Sequence, residues 1–126
     1  MQETMQGAGF DQVDVTPLFS RWRDKLRVHE DIDVMFVDEN TFTRLSVDAV
    51  DFVVGHSQIK VPSPAGIVAL KLHAIKNNAD RLSKDGGDIL ELAQRHSEVL
   101  TRAVVERLCQ QFGTSAIWDY LSKLLR

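Results

Sequence analysis

The sequence is poor in cysteine, proline and aromatic residues: among 126 residues there are one cysteine, three prolines and 7% aromatic residues. The single Cys109 excludes an internal disulfide framework and fits a reducing compartment. No run approaches the roughly 18 apolar residues of a membrane-spanning helix. The N-terminal residues lack the charged stretch followed by an apolar run that marks a secretory signal. We therefore expect a cytoplasmic protein with no membrane contact.

The sequence also lacks a basic excess. It carries 15 Lys and Arg against 18 Asp and Glu, a net charge of −3, so no global positive field indicates nucleic-acid binding. A hydrophobic content of 44% and a charged content of 26% are typical of a globular protein. The chain is long enough to form one compact domain with a hydrophobic core.

Alternation of apolar residues predicts strands in the first half of the chain. The predicted strands lie near residues 10–15, 27–37, 50–54 and 57–61, the last two forming a hairpin. The apolar spacing within residues 18–26 predicts helical turns or a loop, and residues 39–49 fit a short helix.

Pro62 and Pro64 mark a change from strands to helices, with Ser63 as a helix cap. Helical periodicity then covers about residues 64–77, 84–96, 101–112 and 115–126, with Ser83 as a plausible cap of the second helix. We predict an α+β fold in which a small mixed β-sheet precedes a C-terminal bundle of about four helices. Residues 1–62 would form the sheet portion and residues 63–126 the helical portion of one compact domain.

Lys71 lies within the apolar face of its predicted helix, between Ile67 and Ile75. On the next helix, Asp85 also falls on the apolar side. A buried charge is costly unless it is paired. Three interpretations stay open: an ammonium group aimed at phosphates, a lysine whose head reaches the surface, or a structural ion pair with Asp85 or Asp88.

Asp31 and Asp33 are two residues apart on a predicted strand, so their carboxylates project to the same face. Two such carboxylates can hold a divalent cation together with a nucleoside triphosphate. The alternative is a solvated, exposed strand face. Arg81 and Lys84 precede or begin the next helix, where they are expected to be accessible to a phosphate.

The order of these segments resembles the nucleotidyltransferase superfamily of the polymerase-β fold, in particular the branch of AbiEii-type toxins of bacterial type IV toxin–antitoxin systems. The resemblance covers about residues 27–96, from the strand DIDVMFVD to the segment VPSPAGIVALKLHAIKNNADRLSKDGGDILELAQRH. Asp33 matches a metal-site carboxylate and Lys71 matches the lysine of an "ALKL" core. The remaining matches follow an Arg…Lys-Asp…Asp-Ile pattern: Arg81, Lys84, Asp85, Asp88 and Ile89.

The resemblance implies Mg²⁺-dependent transfer of a nucleotide from an NTP to a hydroxyl of an RNA or protein acceptor. In that reaction Asp33 would bind metal or act as base, with Asp31 beside it. Lys71 would contact phosphate, and Asp85 would orient Lys71. Arg81, Lys84 and Asp88 would complete the nucleotide site.

The superfamily also carries a Gly-Ser turn and an acidic strand early in the fold, and neither occurs in this sequence. We therefore expect that the chain begins partway through the fold or belongs to a lineage without that half, and that it is inactive alone. A partner would then be the missing N-terminal half or a cognate antitoxin. The alternatives are a non-catalytic remnant that acts as a protein-interaction module, or a helical interaction module unrelated to nucleotides.

Overall fold

A computed structural model describes all 126 residues of the chain. It contains two compact units, Met1–Phe42 and Thr43–Arg126, which we call the N-terminal and C-terminal units. The division falls earlier in the chain than the change of composition at Pro62. None of the helices combines the length and the apolar character that crossing a membrane requires.

The N-terminal unit is built around a three-stranded antiparallel sheet in the order β1-β2-β3. A short helix, α1 (Gln2–Gly7), precedes β1 (Phe10–Thr16), β2 (Phe19–Asp24) and β3 (Ile32–Met35). The next helix, α2 (Glu39–Val47), begins in this unit and ends in the C-terminal unit.

Strand β2 corrects the prediction of helical turns or a loop for residues 18–26. Its side chains alternate strictly, with Ser20, Trp22 and Asp24 buried and the two arginines between them half-buried. The Trp22 indole donates to the Ser20 hydroxyl at 3.0 Å, which satisfies both buried groups. The apolar pattern missed the strand because two of the three inward positions are polar.

Strand β3 covers only Ile32–Met35 of the strand predicted over residues 27–37, because the Asp24 carboxylate organises the preceding segment into a loop. This carboxylate accepts hydrogen bonds from the backbone N–H groups of Leu26, Val28 and His29 at 2.9–3.1 Å. Led by the His29 N–H, these bonds lower the pKa of Asp24 to about 2. Arg27, inside the loop, has a φ of 56°, which strand geometry forbids.

The C-terminal unit begins with the predicted hairpin, formed by β4 (Val50–Val54) and β5 (Ser57–Val61). Gly55 provides the positive φ of 61° that the tight turn needs. The strands of the chain thus form two antiparallel sheets, where one mixed sheet is predicted. The α+β class, with four helices after the strands, is confirmed.

The four C-terminal helices are α3 (Pro64–Asn77), α4 (Leu82–Arg95), α5 (Arg102–Phe112) and α6 (Ser115–Ser122). Ser63, Thr101 and Thr114 cap α3, α5 and α6, each accepting a hydrogen bond from a backbone N–H three residues later. Ser83 does not cap α4 as predicted, because a 3₁₀ turn over Ala79–Arg81 leads directly into the helix.

The core of the C-terminal unit lies among these helices and contains apolar side chains from all four. Its buried members are Val68, Leu72, Ile75, Ile89, Ala93, Leu100, Val105, Leu108, Cys109, Ile117 and Leu121. The helix α3 supplies the centre of this core, so the polar residues on its flanks are held by a rigid element.

Candidate functional site

Helix α3 fixes the backbone of Lys71. Pro64 occupies the first turn and the Ser63 hydroxyl accepts from the Gly66 N–H at 3.1 Å, so the helix starts at a defined residue. Leu72 is fully buried in the core, while the neighbouring Lys71 side chain is 27% exposed. Lys71 therefore lies at the border between the core and solvent, and not fully inside the apolar face where the helical pattern places it.

The segment between α3 and α4 places Arg81 one helical turn before Asp85. The Asn78 side chain accepts from the Asp80 N–H at 3.1 Å and starts the 3₁₀ turn that ends at Arg81. Asp85 follows in the first turn of α4, where the helix macrodipole favours a negative charge. The i, i+4 spacing lets Arg81 and Asp85 meet on one face.

Four charged side chains meet where α3 and α4 pack together, and we call them the ion-pair cluster: Lys71, Arg81, Asp85 and Asp88. The Lys71 ammonium lies 2.8 Å from Asp88 Oδ2 and 3.5 Å from Asp85 Oδ1. Arg81 Nε donates to Asp85 Oδ2 at 2.6 Å. The cluster therefore contains two cations and two anions, linked through the carboxylate of Asp85.

Burial differs sharply within the ion-pair cluster. The Asp85 side chain is only 2% exposed, whereas those of Arg81 and Asp88 are both 41% exposed. No buried side-chain nitrogen or oxygen in the structure lacks a hydrogen-bond partner. Asp85 is thus the anchor of the cluster, and the cations around it reach toward water.

Lys84 lies outside this network. It is exposed in the first turn of α4 and makes no ion pair, so it adds one positive charge beside the cluster. Of the three cations Lys71, Arg81 and Lys84, only the first two have carboxylate partners.

Asp31 and Asp33 lie in the N-terminal unit, where each is paired with an arginine of β2. Arg21 binds Asp33 through two hydrogen bonds of 2.7 and 2.9 Å. Arg23 binds Asp31 at 3.0–3.3 Å. The hydrogen bond that Arg23 donates to Asp31 lowers the pKa of Asp31, and the one that Arg21 donates to Asp33 raises the pKa of Arg21.

As arranged, these two carboxylates do not suit Mg²⁺. The cation prefers near-octahedral oxygen ligands, whereas both aspartates are engaged by guanidinium groups. No cluster of three or more His, Cys, Asp or Glu side chains able to hold a metal occurs in the structure. The Mg²⁺ site at Asp31 and Asp33 stays a prediction, and no chemical step below depends on it.

The sequence predictions missed the two arginines of β2. Arg21 directly opposes Asp33 in the antiparallel register of β2 and β3. The signal was present as R-x-R in one strand and D-x-D in the next, a pattern of cross-strand charge pairs. It was not used because residues 18–26 were not interpreted as a strand.

Comparison with known proteins gives no match: no protein-family model, no curated protein and no solved structure is similar to this chain. The function proposed below therefore depends on the residues of the chain itself.

Proposed function

We propose that this protein is nucleotidyltransferase-like and that its C-terminal unit binds the phosphates of a nucleoside triphosphate through Lys71. The reaction served would be transfer of a nucleotide from the NTP to an RNA or protein acceptor, in a toxin–antitoxin setting. The free thiol of Cys109 fits the reducing cytoplasm as its location. The main observation in support of this proposal is that Lys71 lies at the border of the core, with its ammonium group oriented by two aspartates.

The geometry of Lys71 supports phosphate binding because its closest partner can be exchanged. Asp88 is 41% exposed, so water can solvate its carboxylate when the Lys71 ammonium turns to another anion. Asp85 lies at the longer distance of 3.5 Å and keeps Arg81 in either case. A phosphate oxygen can therefore replace Asp88 without leaving a buried charge unpaired.

Arg81 and Lys84 support the same role from the start of α4. Arg81 presents a partly exposed guanidinium whose remaining N–H groups can donate to phosphate oxygens. Lys84 is exposed and unpaired, so it can add charge without giving up a partner. With Asp85 and Asp88 included, the five groups carry a net charge of +1, a modest attraction that a triphosphate would complement.

Isothermal titration calorimetry with ATP, GTP, CTP and UTP, each with and without Mg²⁺, tests this proposal. A charge-assisted hydrogen bond contributes about 1.5–3 kcal/mol, so Lys71→Met should weaken binding about 10-fold to 100-fold. Lys76→Met is the matched control, because Lys76 is an exposed lysine of the same helix outside the cluster. Unchanged NTP affinity in a folded Lys71→Met protein would contradict the proposal.

A second candidate function is a non-catalytic interaction module. It is favoured by the pairing of both predicted metal-site aspartates with arginines, because a cation would have to displace a guanidinium group from each carboxylate. Its result in the same experiment is distinct: the wild-type chain binds no NTP, with or without Mg²⁺, while Lys71→Met folds normally.

A further inference from the structure

A cleft on the C-terminal unit, separate from the ion-pair cluster, combines an apolar floor with unpaired arginines. We call it the α2–α5 cleft; it encloses about 470 Å³. Its lining includes the buried Ala69 and Leu108 and the half-buried Leu45 and Phe112. Val47 stands at the cleft and is 76% exposed. A surface of this kind offers a place for an apolar side chain from outside.

The charges of the cleft are unbalanced and unpaired. Arg44 and Arg107 line it together with one acidic residue, Asp48, and none of the three makes an ion pair. Two other arginines of the same unit are paired with carboxylates, Arg81 with Asp85 and Arg95 with Glu91. The cleft thus has a net charge of +1, with two guanidinium groups available to carboxylates.

The cleft lies on a different side of α3 from Lys71. Ala69 and Lys71 are two residues apart, which corresponds to roughly 200° around a helix. None of the four cluster residues lines the cleft. Occupation of one surface therefore does not require the other.

We propose that the α2–α5 cleft docks an acidic amphipathic peptide segment of a partner protein. One apolar side chain of the peptide enters between Leu45, Ala69 and Phe112, and flanking carboxylates pair with Arg44 and Arg107. Charge complementarity selects an acidic partner, and the apolar floor selects one with an apolar anchor. A small anion would use the arginines and leave the floor empty.

Fluorescence anisotropy with a labelled synthetic peptide tests the docking. The probe is a helix-forming peptide in which glutamates flank leucines spaced three and four residues apart, and a matched probe carries lysines in place of the glutamates. The wild-type chain should bind the acidic probe and not the basic one. Arg44→Gln and Arg107→Gln should each weaken binding about threefold to tenfold, whereas Arg95→Gln, which removes an arginine outside the cleft whose side chain is 71% exposed, should not.

Val47→Glu provides a variant that should fold normally, because Val47 is exposed. Its added negative charge should weaken binding of the acidic probe. The proposal is overturned if the acidic probe does not bind, if both probes bind equally, or if the arginine variants bind like wild type. It is also overturned if inorganic phosphate displaces the probe, which identifies a small-anion site. A wild-type dimer in sedimentation that Arg44→Gln dissociates would identify a second copy as the occupant and likewise exclude the peptide.

Discussion

Arg81→Gln should destabilise the C-terminal unit more than the removal of any other charge in the ion-pair cluster. The variant leaves the Asp85 carboxylate, 2% exposed, with Lys71 at 3.5 Å as its remaining cation. Leaving a buried charge without its main partner costs about 3–5 kcal/mol. The Arg81 side chain is 41% exposed, so water can enter the space that the substitution vacates and partly solvate Asp85. We therefore expect a destabilisation at the lower end of this range, about 3 kcal/mol.

Asp85→Asn should cost less, although Asp85 is the buried member of the pair. The substitution removes the buried charge itself, and both cations reach solvent. Because the amide oxygen can still accept from Arg81, the loss is the difference between a charge-assisted and a neutral hydrogen bond, about 1–2 kcal/mol. Lys71→Met should cost least, about 1 kcal/mol or below, because Asp85 keeps Arg81 and the exposed Asp88 is solvated.

Urea unfolding followed by far-ultraviolet circular dichroism measures this order. The double variant Arg81→Gln/Asp85→Asn completes a double-mutant cycle, and it should be about as stable as Asp85→Asn alone. The coupling energy between the two residues would then equal the full cost of Arg81→Gln, about 3 kcal/mol. Arg95→Gln is the control: its pair with Glu91 has side chains that are 71% and 58% exposed, so its loss should cost below about 1 kcal/mol. The reasoning would be refuted if Asp85→Asn lowered the free energy of unfolding more than Arg81→Gln, or if the two effects added in the double variant. In either case burial of the Asp85 charge would not determine the stability of the variants.

Three further outcomes are expected from other parts of the chain. Gly87→Ala should raise the free energy of unfolding by about 1 kcal/mol, because alanine favours the helix and no atom lies within 4 Å of the added Cβ. Gly86→Ala should be about 1 kcal/mol less stable than Gly87→Ala, because its Cβ would meet Tyr120 at 3.3 Å; equal urea midpoints would contradict this packing. Asp24→Asn should have its full destabilising effect on the N-terminal unit above about pH 4, the pKa of an aspartate in an unfolded chain. The stability difference from wild type should shrink as the pH falls toward 2. The reason is that Asp24, with its pKa lowered to about 2, stabilises the fold only while ionised. Trp22 fluorescence in a Trp118→Phe background measures the stability of the N-terminal unit at each pH. A stability difference between variant and wild type that is as large at pH 2 as at pH 7 would contradict this role of Asp24. Burial raises the pKa of Cys109 to about 11, so a thiol reagent at pH 8 should modify it only in urea, and rapid modification of the native chain would contradict its burial.

The helical half of the chain could be predicted because its signals are local. Ser63, Thr101 and Thr114 each precede a periodic apolar run, and each caps a helix in the structure. The start of α4 was less accurate, since the preceding 3₁₀ turn satisfies the first N–H groups without a side-chain cap. Caps and periodicity depend on neighbouring residues, so sequence alone contains them.

The N-terminal strands were harder to predict because their determinants are not apolar. The buried face of β2 contains Ser20 and Asp24 beside Trp22, a pattern that hydrophobic alternation does not recognise. The loop that shortens β3 depends on one carboxylate binding three backbone N–H groups. These N–H groups lie two to five residues after Asp24, so the signal is local in sequence, but it comes from a polar side chain and not from apolar periodicity.

The candidate site was predictable in part, because some of its contacts follow from helical spacing. Helical spacing placed Lys71 and Asp85 on the facing sides of α3 and α4, and the structure pairs them. The i, i+4 contact between Arg81 and Asp85 could also have been inferred. The preference of Lys71 for Asp88 could not be inferred from the sequence. The Lys71 ammonium lies 2.8 Å from Asp88 and 3.5 Å from Asp85, and this difference depends on how α3 and α4 pack together.

The arginine–aspartate pairs of the N-terminal unit and the ion-pair cluster differ in how easily a ligand could replace one partner of an ion pair. In the N-terminal unit each arginine forms a bidentate pair with one aspartate, so capturing either carboxylate means breaking two hydrogen bonds at once. In the ion-pair cluster, Arg81 is tied to a buried carboxylate that cannot turn to water. Lys71 alone has its shortest contact with an exposed, solvent-accessible partner. Of the groups proposed to bind phosphate, Lys71 is therefore the one whose change of partner costs the fold least, and a folded Lys71→Met protein is the variant in which loss of the proposed binding can be separated from loss of stability.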